Sequence, residues 1–426
     1  MSDSVAVRWV RHPEDGPGAR LVHVNTSANG GGVAELLTNV TEHDAGLRQP
    51  GGWAVLSAPG EFFAFTKALH HLFHGRGDPG AVDTGEPLYR EVLRAARPLL
   101  GAVLRPTDTV VLHDPQTLGL APWLRTHVHA VYWHCHIGGV HDALGIKPHL
   151  WELFDEDLRA VDAVLVTEKE YLAGAPVREV RLVHPAVDPG APKNVPLTEA
   201  QVAAHLRAIG LDADGSTEGP AGRVRQEGAL PADAPLVLQV ARWDPLKGME
   251  DVLRVAARFG PRVHVVLAGP DPTEVLDDPE GREQLASVEQ QYRGLPRAVR
   301  ARVHLVALSS RDRELNALRV NALQRRADVV LQRSLEEGFG LTVTEAMLKG
   351  RAVVATRTGG IPRQIEHGVT GFLVDPGDDD GVVRHVADLV ADPGLRDAVG
   401  SAASRSVREQ YLIDRLAGDY RALVHD

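Results

Sequence analysis

"EEGFGLTVTEAMLKG", residues 336–350, decides how this chain is read. It follows "DVVLQRS" (328–334), a short β-branched run with the character of a buried strand, and it runs into the helix former "TEAMLKG". Thr342 or Thr344 is expected to cap that helix, and Gly350 to end it. Glu337 then lies in the loop at the carboxyl end of a strand, and Glu345 in the first helical turn. Two solvated charges around an ordinary loop are one reading. The other assigns chemistry to the layout. Gly338 and Gly340 let backbone N–H groups approach a phosphate, and each carboxylate can accept hydrogen bonds from vicinal hydroxyls. Hydroxyls at both ends with phosphate in the middle describe a nucleotide sugar.

The same strand-then-helix rhythm extends in both directions. "LVHVNTS" (21–27), "WAVLSA" (53–58), "TVVLHD" (109–114), "AVYWHCH" (130–136), "AVLVTE" (163–168) and "VRLVHPAV" (180–187) form one series of buried strands. "PLVLQVAR", "RVHVVLAG", "RVHLVALS", "ADVVLQRS", "RAVVATRT" and "TGFLVDP" form a second, beginning near residue 235. Amphipathic helical segments separate many of them, so the expected fold is α/β: two doubly wound, Rossmann-like domains. The expected limits are 1–190 for the first domain, 191–233 for a Pro/Gly-rich linker or insertion, 234–405 for the second, and 406–426 for a terminal helix that can pack on either.

Composition narrows the function. A chain of 426 residues exceeds one core, and 43% hydrophobic with 24% charged residues is globular usage. A net charge of −11 argues against a general nucleic-acid or anionic-membrane binder. The single cysteine, Cys135, rules out an internal disulfide, and a cytoplasmic location is the expectation. No apolar run reaches the roughly 18 residues of a membrane span, and residues 1–20 lack a signal-peptide core.

Doubly wound sheets bind ligands at the carboxyl ends of their strands, so the polar residues there are the candidates. In "ARWDPLKG" (241–248), Arg242 and Lys247 suit a diphosphate, or else form a solvated group with Asp244. In "NTSANGGGVAELL", Gly30, Gly31 and Gly32 open a helix, but the pattern is neither G-x-G-x-x-G nor a Walker motif. In "VYWHCHIGGVHD", His134, Cys135, His136 and His141 raise the question of zinc. His134 and Cys135 face opposite sides of a strand, so no metal is expected and a cleft-facing histidine is preferred. His113 and Asp114, at another strand end, suit either a ligand-facing role or a structural cap. "DED" (155–157) sits in a helical pattern and reads as a solvated face rather than a metal-binding D-x-D.

Together these motifs resemble the retaining glycosyltransferases of family four, which have the GT-B fold of two Rossmann-like domains facing across a cleft. Glu337 and Glu345, with seven residues between them, match the family's E-x7-E, and the Arg…Lys pair and the GGG loop match as well. "HVNTSANGGGVAELL", "GEFFAFTKALHH", "LHDPQ", "WHCHI", "DDPEG" and the opening stretch look most like the trehalose-forming subgroup, over residues 21 to 375. The resemblance implies transfer of a hexosyl group, glucose above all, from a nucleoside-diphosphate sugar to a sugar-like hydroxyl, without a metal or other cofactor. It places Arg242 and Lys247 on the diphosphate. Glu337 and the amides of Phe339, Gly340 and Leu341 would hold the transferred sugar, Glu345 the ribose, and Gly31 and Gly32 the phosphates from the other domain. His136 would lie beside the sugar and the incoming hydroxyl, with His113, Asp114 and His134 on the acceptor side.

The chain departs from the trehalose-forming pattern at His134, where an arginine is expected, and at Gly138, where an aspartate is expected. Another acceptor, such as an aminocyclitol, is therefore the alternative. A nucleotide-sugar epimerase or non-catalytic binding protein is disfavoured by the presence of Glu337, Arg242, Lys247 and His136. The sequence leaves the nucleobase and the oligomeric state open, a homodimer included.

Overall fold

The first series of apolar runs becomes a seven-stranded sheet, because strands buried on both faces need helices on both sides. The computed structural model describes residues 5–13, 18–28, 32–46, 50–75, 77–139, 145–274 and 279–425. In the first sheet, β1 (Ala6–Arg11), β2 (Leu21–Asn25), β3 (Gly51–Ser57), β4 (Thr109–His113), β5 (Ala130–Cys135), β6 (Ala163–Val166) and β7 (Val180–Leu182) take the order β1-β3-β2-β4-β5-β6-β7. β1 is antiparallel to β3 and the others are parallel. β1 was not among the expected strands. Its residues alternate between exposed and half-buried, as befits an edge strand, so it lacks the continuous apolar run used to find the others.

The period of two along each strand sorts this sheet into two faces. Val22, Val24, Val110, Leu112, Val131, Trp133 and Cys135 join one apolar cluster with Phe62, Phe73, Tyr89 and Phe154. Leu21, Val111, Ala130 and Tyr132 join the other, which is completed by Ile413, Leu416 and Tyr420 from the terminal helix Ile413–Ala422. Burying each large apolar side chain contributes roughly 1.5–3 kcal/mol. His23, His113 and His134 share the parity of the second face.

The second sheet holds β8 (Thr217–Gly219), β9 (Gly222–Arg225), β10 (Leu236–Val240), β11 (His264–Pro270), β12 (Val303–Leu308), β13 (Val329–Gln332), β14 (Ala352–Thr356) and β15 (Phe372–Val374). Their order is β15-β14-β13-β10-β11-β12-β9-β8. The run from β15 to β12 is parallel, and the β8–β9 hairpin adds antiparallel strands at one edge.

By contacts the chain forms two units: Met1–Ala186 with Ile413–Asp426, and Val187–Leu412. Of the two readings of residues 191–233, a linker or an insertion, the contacts place the segment within the second unit. It contains the helix Glu199–Ile209, closed by a Thr198–Gln201 capping box, and the hairpin that extends the second sheet. Short strands and many glycines hid the hairpin. The terminal segment is also not one helix: Pro393–Gln410 ends before Tyr411, and a new helix starts at Ile413. The "DED" stretch is not simply a solvated face, because Asp157 is fully buried and receives Arg90 Nη1 at 2.8 and 2.7 Å. Among the described residues no helix is long and apolar enough to cross a membrane.

Candidate active site

Glu337 lies in the loop after β13, at the carboxyl end of that strand. Lys247, from the loop after β10, puts Nζ 3.0 Å from both carboxylate oxygens of Glu337. Ser334 Oγ donates to Glu337 Oε2 at 3.0 Å and Gln332 Nε2 at 3.3 Å. β10 and β13 are parallel neighbours, so their carboxyl ends deliver the lysine and the glutamate to one spot. Arg242 does not join this group. It is exposed, and its Nη2 meets Asp244 Oδ2 at 3.2 Å.

The helix Leu341–Leu348 begins at Gly340, whose φ of 90° is the left-handed conformation that glycine adopts without strain. Neither threonine caps it: Thr342 Oγ1 bonds Gln332 Oε1 and Thr344 Oγ1 bonds Gln364 Oε1. The Val343 N–H is bonded to the Gly340 carbonyl at 2.9 Å, while the Leu341 and Thr342 amides lie ahead of the first helical bond, the kind of position that suits an anion. Gln364 Nε2 pins the loop from behind through the carbonyl of buried Phe339 at 2.5 Å. Glu345 falls in the second turn rather than the first. Its carboxylate is buried, 3.4 Å from Lys193 Nζ and 3.3 Å from Gln324 Nε2. Lys193, Gln324, Ser334 and Gln332 were not foreseen. Lys193 lay in the supposed linker, and the others carried no motif.

Lys247 is aimed by the residue after it. Gly248 has φ 63°, and a Cβ there would lie 2.1 Å from the Arg333 carbonyl oxygen. Gly248→Ala should therefore push the lysine loop off β13 and lower kcat/KM about 10–100-fold, as a displacement near 1 Å does. Steady-state kinetics with wild-type values would show that this close approach does not position Lys247.

On the first unit, the parallel register sets His113 beside His134, and His136 follows two residues on. His113 Nδ1 lies 2.9 Å from His136 Nε2, and His113 Nε2 lies 3.0 Å from His23 Nδ1. His134 Nδ1 meets Tyr420 Oη at 2.6 Å, and its ring stacks on His136 with centroids 3.8 Å apart. Burial holds all four imidazoles neutral: it depresses His23 and His136 to about 3 and His113 and His134 well below the ordinary value. His113 and His134 are fully buried, so they stand behind the half-buried His136 rather than on the surface. Asp114 has φ 59° and accepts the His136 N–H on Oδ1 at 2.8 Å. Burial raises its carboxyl to about 7. Cys135 points away into the apolar core, so it is not part of this group. His23 and Tyr420 were missed. Strand parity singles out His23, whereas nothing local marks Tyr420. Gly32 opens the helix Gly32–Gly46, while Gly31 and His141 lie outside the described residues.

Two parallel-stranded α/β units with polar strand ends are the frame of a GT-B glycosyltransferase, and the comparisons agree. Residues 222–406 match the model of glycosyl transferases group 1, and residues 23–173 match that of the trehalose synthase N-terminal domain. The trehalose synthase of Rubrobacter xylanophilus is 32% identical over 94% of this chain and 89% of its own length. That of Pyrococcus horikoshii is 30% identical over 93% and 88%. The solved structure of Anabaena HepE in complex with UDP-glucose shares the fold, with a TM-score of 0.66 at 17% identity over 95% of this chain and 98% of that one. The chain belongs to the trehalose synthase family of glycosyltransferases.

Proposed function

We propose that the chain transfers a hexosyl group, glucose above all, from a nucleoside-diphosphate sugar to a sugar-like hydroxyl with retention at the anomeric carbon. The observation that carries this is the Lys247–Glu337 contact at 3.0 Å, at the adjoining ends of β10 and β13. It sets a cation for the diphosphate beside a carboxylate for sugar hydroxyls. Lys247 has three donors, so it can hold Glu337 and a phosphate oxygen together. HepE, which shares the fold, is a protein that binds UDP-glucose, and this supports the donor class.

In this reading Arg242 and Lys247 neutralise the diphosphate, and the Phe339–Leu341 amides assist. Glu337 orients the sugar, Glu345 serves the ribose, and Gly32 contributes phosphate contacts from the first unit. His136 lies by the reacting carbon, with Asp114 beside it and His113 and His134 behind. The bond from the anomeric carbon to the phosphate oxygen breaks as the acceptor oxygen bonds on the same face. The acceptor proton passes to the departing phosphate. Fixed cations act most strongly where charge grows. No metal has a part in this scheme, so EDTA should leave transfer running. Loss of turnover with EDTA and recovery on adding a divalent ion would refute the metal-free scheme.

The acceptor side favours a second reading in which plain glucose is a poor acceptor. Gly138 has φ 149°, and a Cβ there would lie 2.8 Å from Tyr171 Cβ, so this backbone has no room for the aspartate of the trehalose-forming pattern. His134 is spent on Tyr420. A site missing two groups that bond a hydroxyl discriminates sharply. The test is a panel of nucleoside-diphosphate sugars and acceptors with products read by mass. Transfer to glucose as fast as to any other acceptor would overturn the altered-acceptor reading, and no transfer from any donor would overturn the function.

A further inference from the structure

We propose that His113, His134 and His136 form a binding site for a divalent transition-metal ion of the zinc or cobalt kind, an ion that the transfer chemistry does not use and that competes with it for His136. Each offers one ligand atom, and these atoms lie within 4.8 Å of one another. The cluster follows from the sheet. β4 and β5 are parallel with His113 opposite His134, and a further step of two puts His136 on the same face.

The partners of the rings say which nitrogens face the centre. His113 Nε2 faces His23 Nδ1 at 3.0 Å, so Nδ1, which faces His136 Nε2 at 2.9 Å and would exchange that contact for the ion, is the ligand atom. His134 Nδ1 is taken by the Tyr420 hydroxyl at 2.6 Å, which leaves Nε2, and that buried nitrogen has no hydrogen-bond partner. His136 presents Nε2, 2.9 Å from His113 Nδ1. Metal-binding histidines are held in this manner, with the second ring nitrogen bonded to an outer group that fixes tautomer and orientation. With zinc–nitrogen bonds near 2.0–2.1 Å, tetrahedral ligand atoms stand about 3.3 Å apart, so the 2.9 Å pair opens and the His134 ring, stacked on His136 with centroids 3.8 Å apart, turns its Nε2 toward the ion.

Asp114 adds a carboxylate one residue from His113, fixed on the His136 N–H at 2.8 Å. A dication buried among neutral imidazoles needs such a charge nearby. Another close pair of described histidines with a bond between rings, His264 and His304, makes a useful contrast. It has two imidazoles, and His304 Nδ1 is satisfied by Gln226 Oε1 at 2.7 Å.

The test uses the full chain, stripped with chelator, desalted, and loaded with zinc or cobalt. One zinc per chain by elemental analysis is expected, together with the visible absorption of tetrahedral cobalt. His134→Ala should abolish both. Tyr420→Phe keeps the ring and removes the group that orients His134, so it should weaken affinity about 10–100-fold. This second variant keeps the test decisive if His134→Ala does not fold. His264→Gln should bind as wild type does. No metal retained by the wild-type chain, or cobalt spectra and affinities unchanged in His134→Ala and Tyr420→Phe, would overturn the site. A bound ion takes the His136 lone pair, so one equivalent of zinc should slow transfer and EDTA should restore it. This consequence rests on the role given to His136 above. Ligand-dependent binding with unchanged transfer would leave the metal site standing and remove His136 from the reaction.

Discussion

Arg242→Ala should lower the rate of sugar transfer by about 10²–10³ while the protein stays folded, the usual loss when one donor to a growing negative charge is removed. Arg242 is 61% exposed and is paired with Asp244 at 3.2 Å, so the fold gains little from it. Lys247→Ala should match the loss of rate and add a second effect, because the lysine also holds Glu337 at 3.0 Å. Comparing the two variants separates phosphate charge from sugar orientation: the arginine variant should lose mainly kcat, and the lysine variant should in addition discriminate less among donor sugars. Turnover within a few-fold of wild type, at an unchanged melting temperature, would take Arg242 out of the site.

Asp108→Ala should destabilise the first unit by about 3–5 kcal/mol, since it strands a buried guanidinium. Asp108 and Arg20 are 0% and 2% exposed, and two bonds of 2.8 and 2.7 Å join them. The carboxylate also accepts the Arg105 N–H at 2.8 Å, and the Thr109 N–H bonds the Arg20 carbonyl at 2.9 Å. The pair therefore ties the start of β4 to the residue before β2. Total stabilities of about 5–15 kcal/mol make such a loss plain in a urea midpoint. Replacing both partners with apolar residues of similar size should recover much of it. A midpoint shift worth less than about 1 kcal/mol would show that the pair is already hydrated.

The parts of the fold that could be read from the sequence are those with a local cause. Continuous apolar runs announced the inner strands, because burial on both faces demands them. The edge strand β1 and the β8–β9 hairpin have a face open to water, so they carried no such signal. Of the candidate residues, Glu337 and Lys247 could be placed at strand ends from the sequence. Their contact required knowing that β10 and β13 are neighbours although β11 and β12 intervene in sequence. Thr342 and Thr344 looked like caps, but tertiary partners, Gln332 and Gln364, claimed both hydroxyls. The histidine cluster was half visible. His134 and His136 lie in one quoted motif, whereas His113 and His23 reach them across β4 and β2, a relation no single stretch records.

The Tyr420–His134 bond joins residues 286 positions apart. Synthesis at roughly 5–20 residues per second places about 15–60 s between the emergence of the two. Throughout that interval β2, β4 and β5 can pair and the helix Gly32–Gly46 can settle on them through Leu36, Leu37 and Val40, yet the part of that face that Ile413, Leu416 and Tyr420 later cover stays open. The nascent first unit is thus a sheet with one apolar side only partly covered, the kind of surface that chaperones hold and neighbouring chains stick to. His134 gains its hydroxyl partner only when the helix Ile413–Ala422 has left the ribosome.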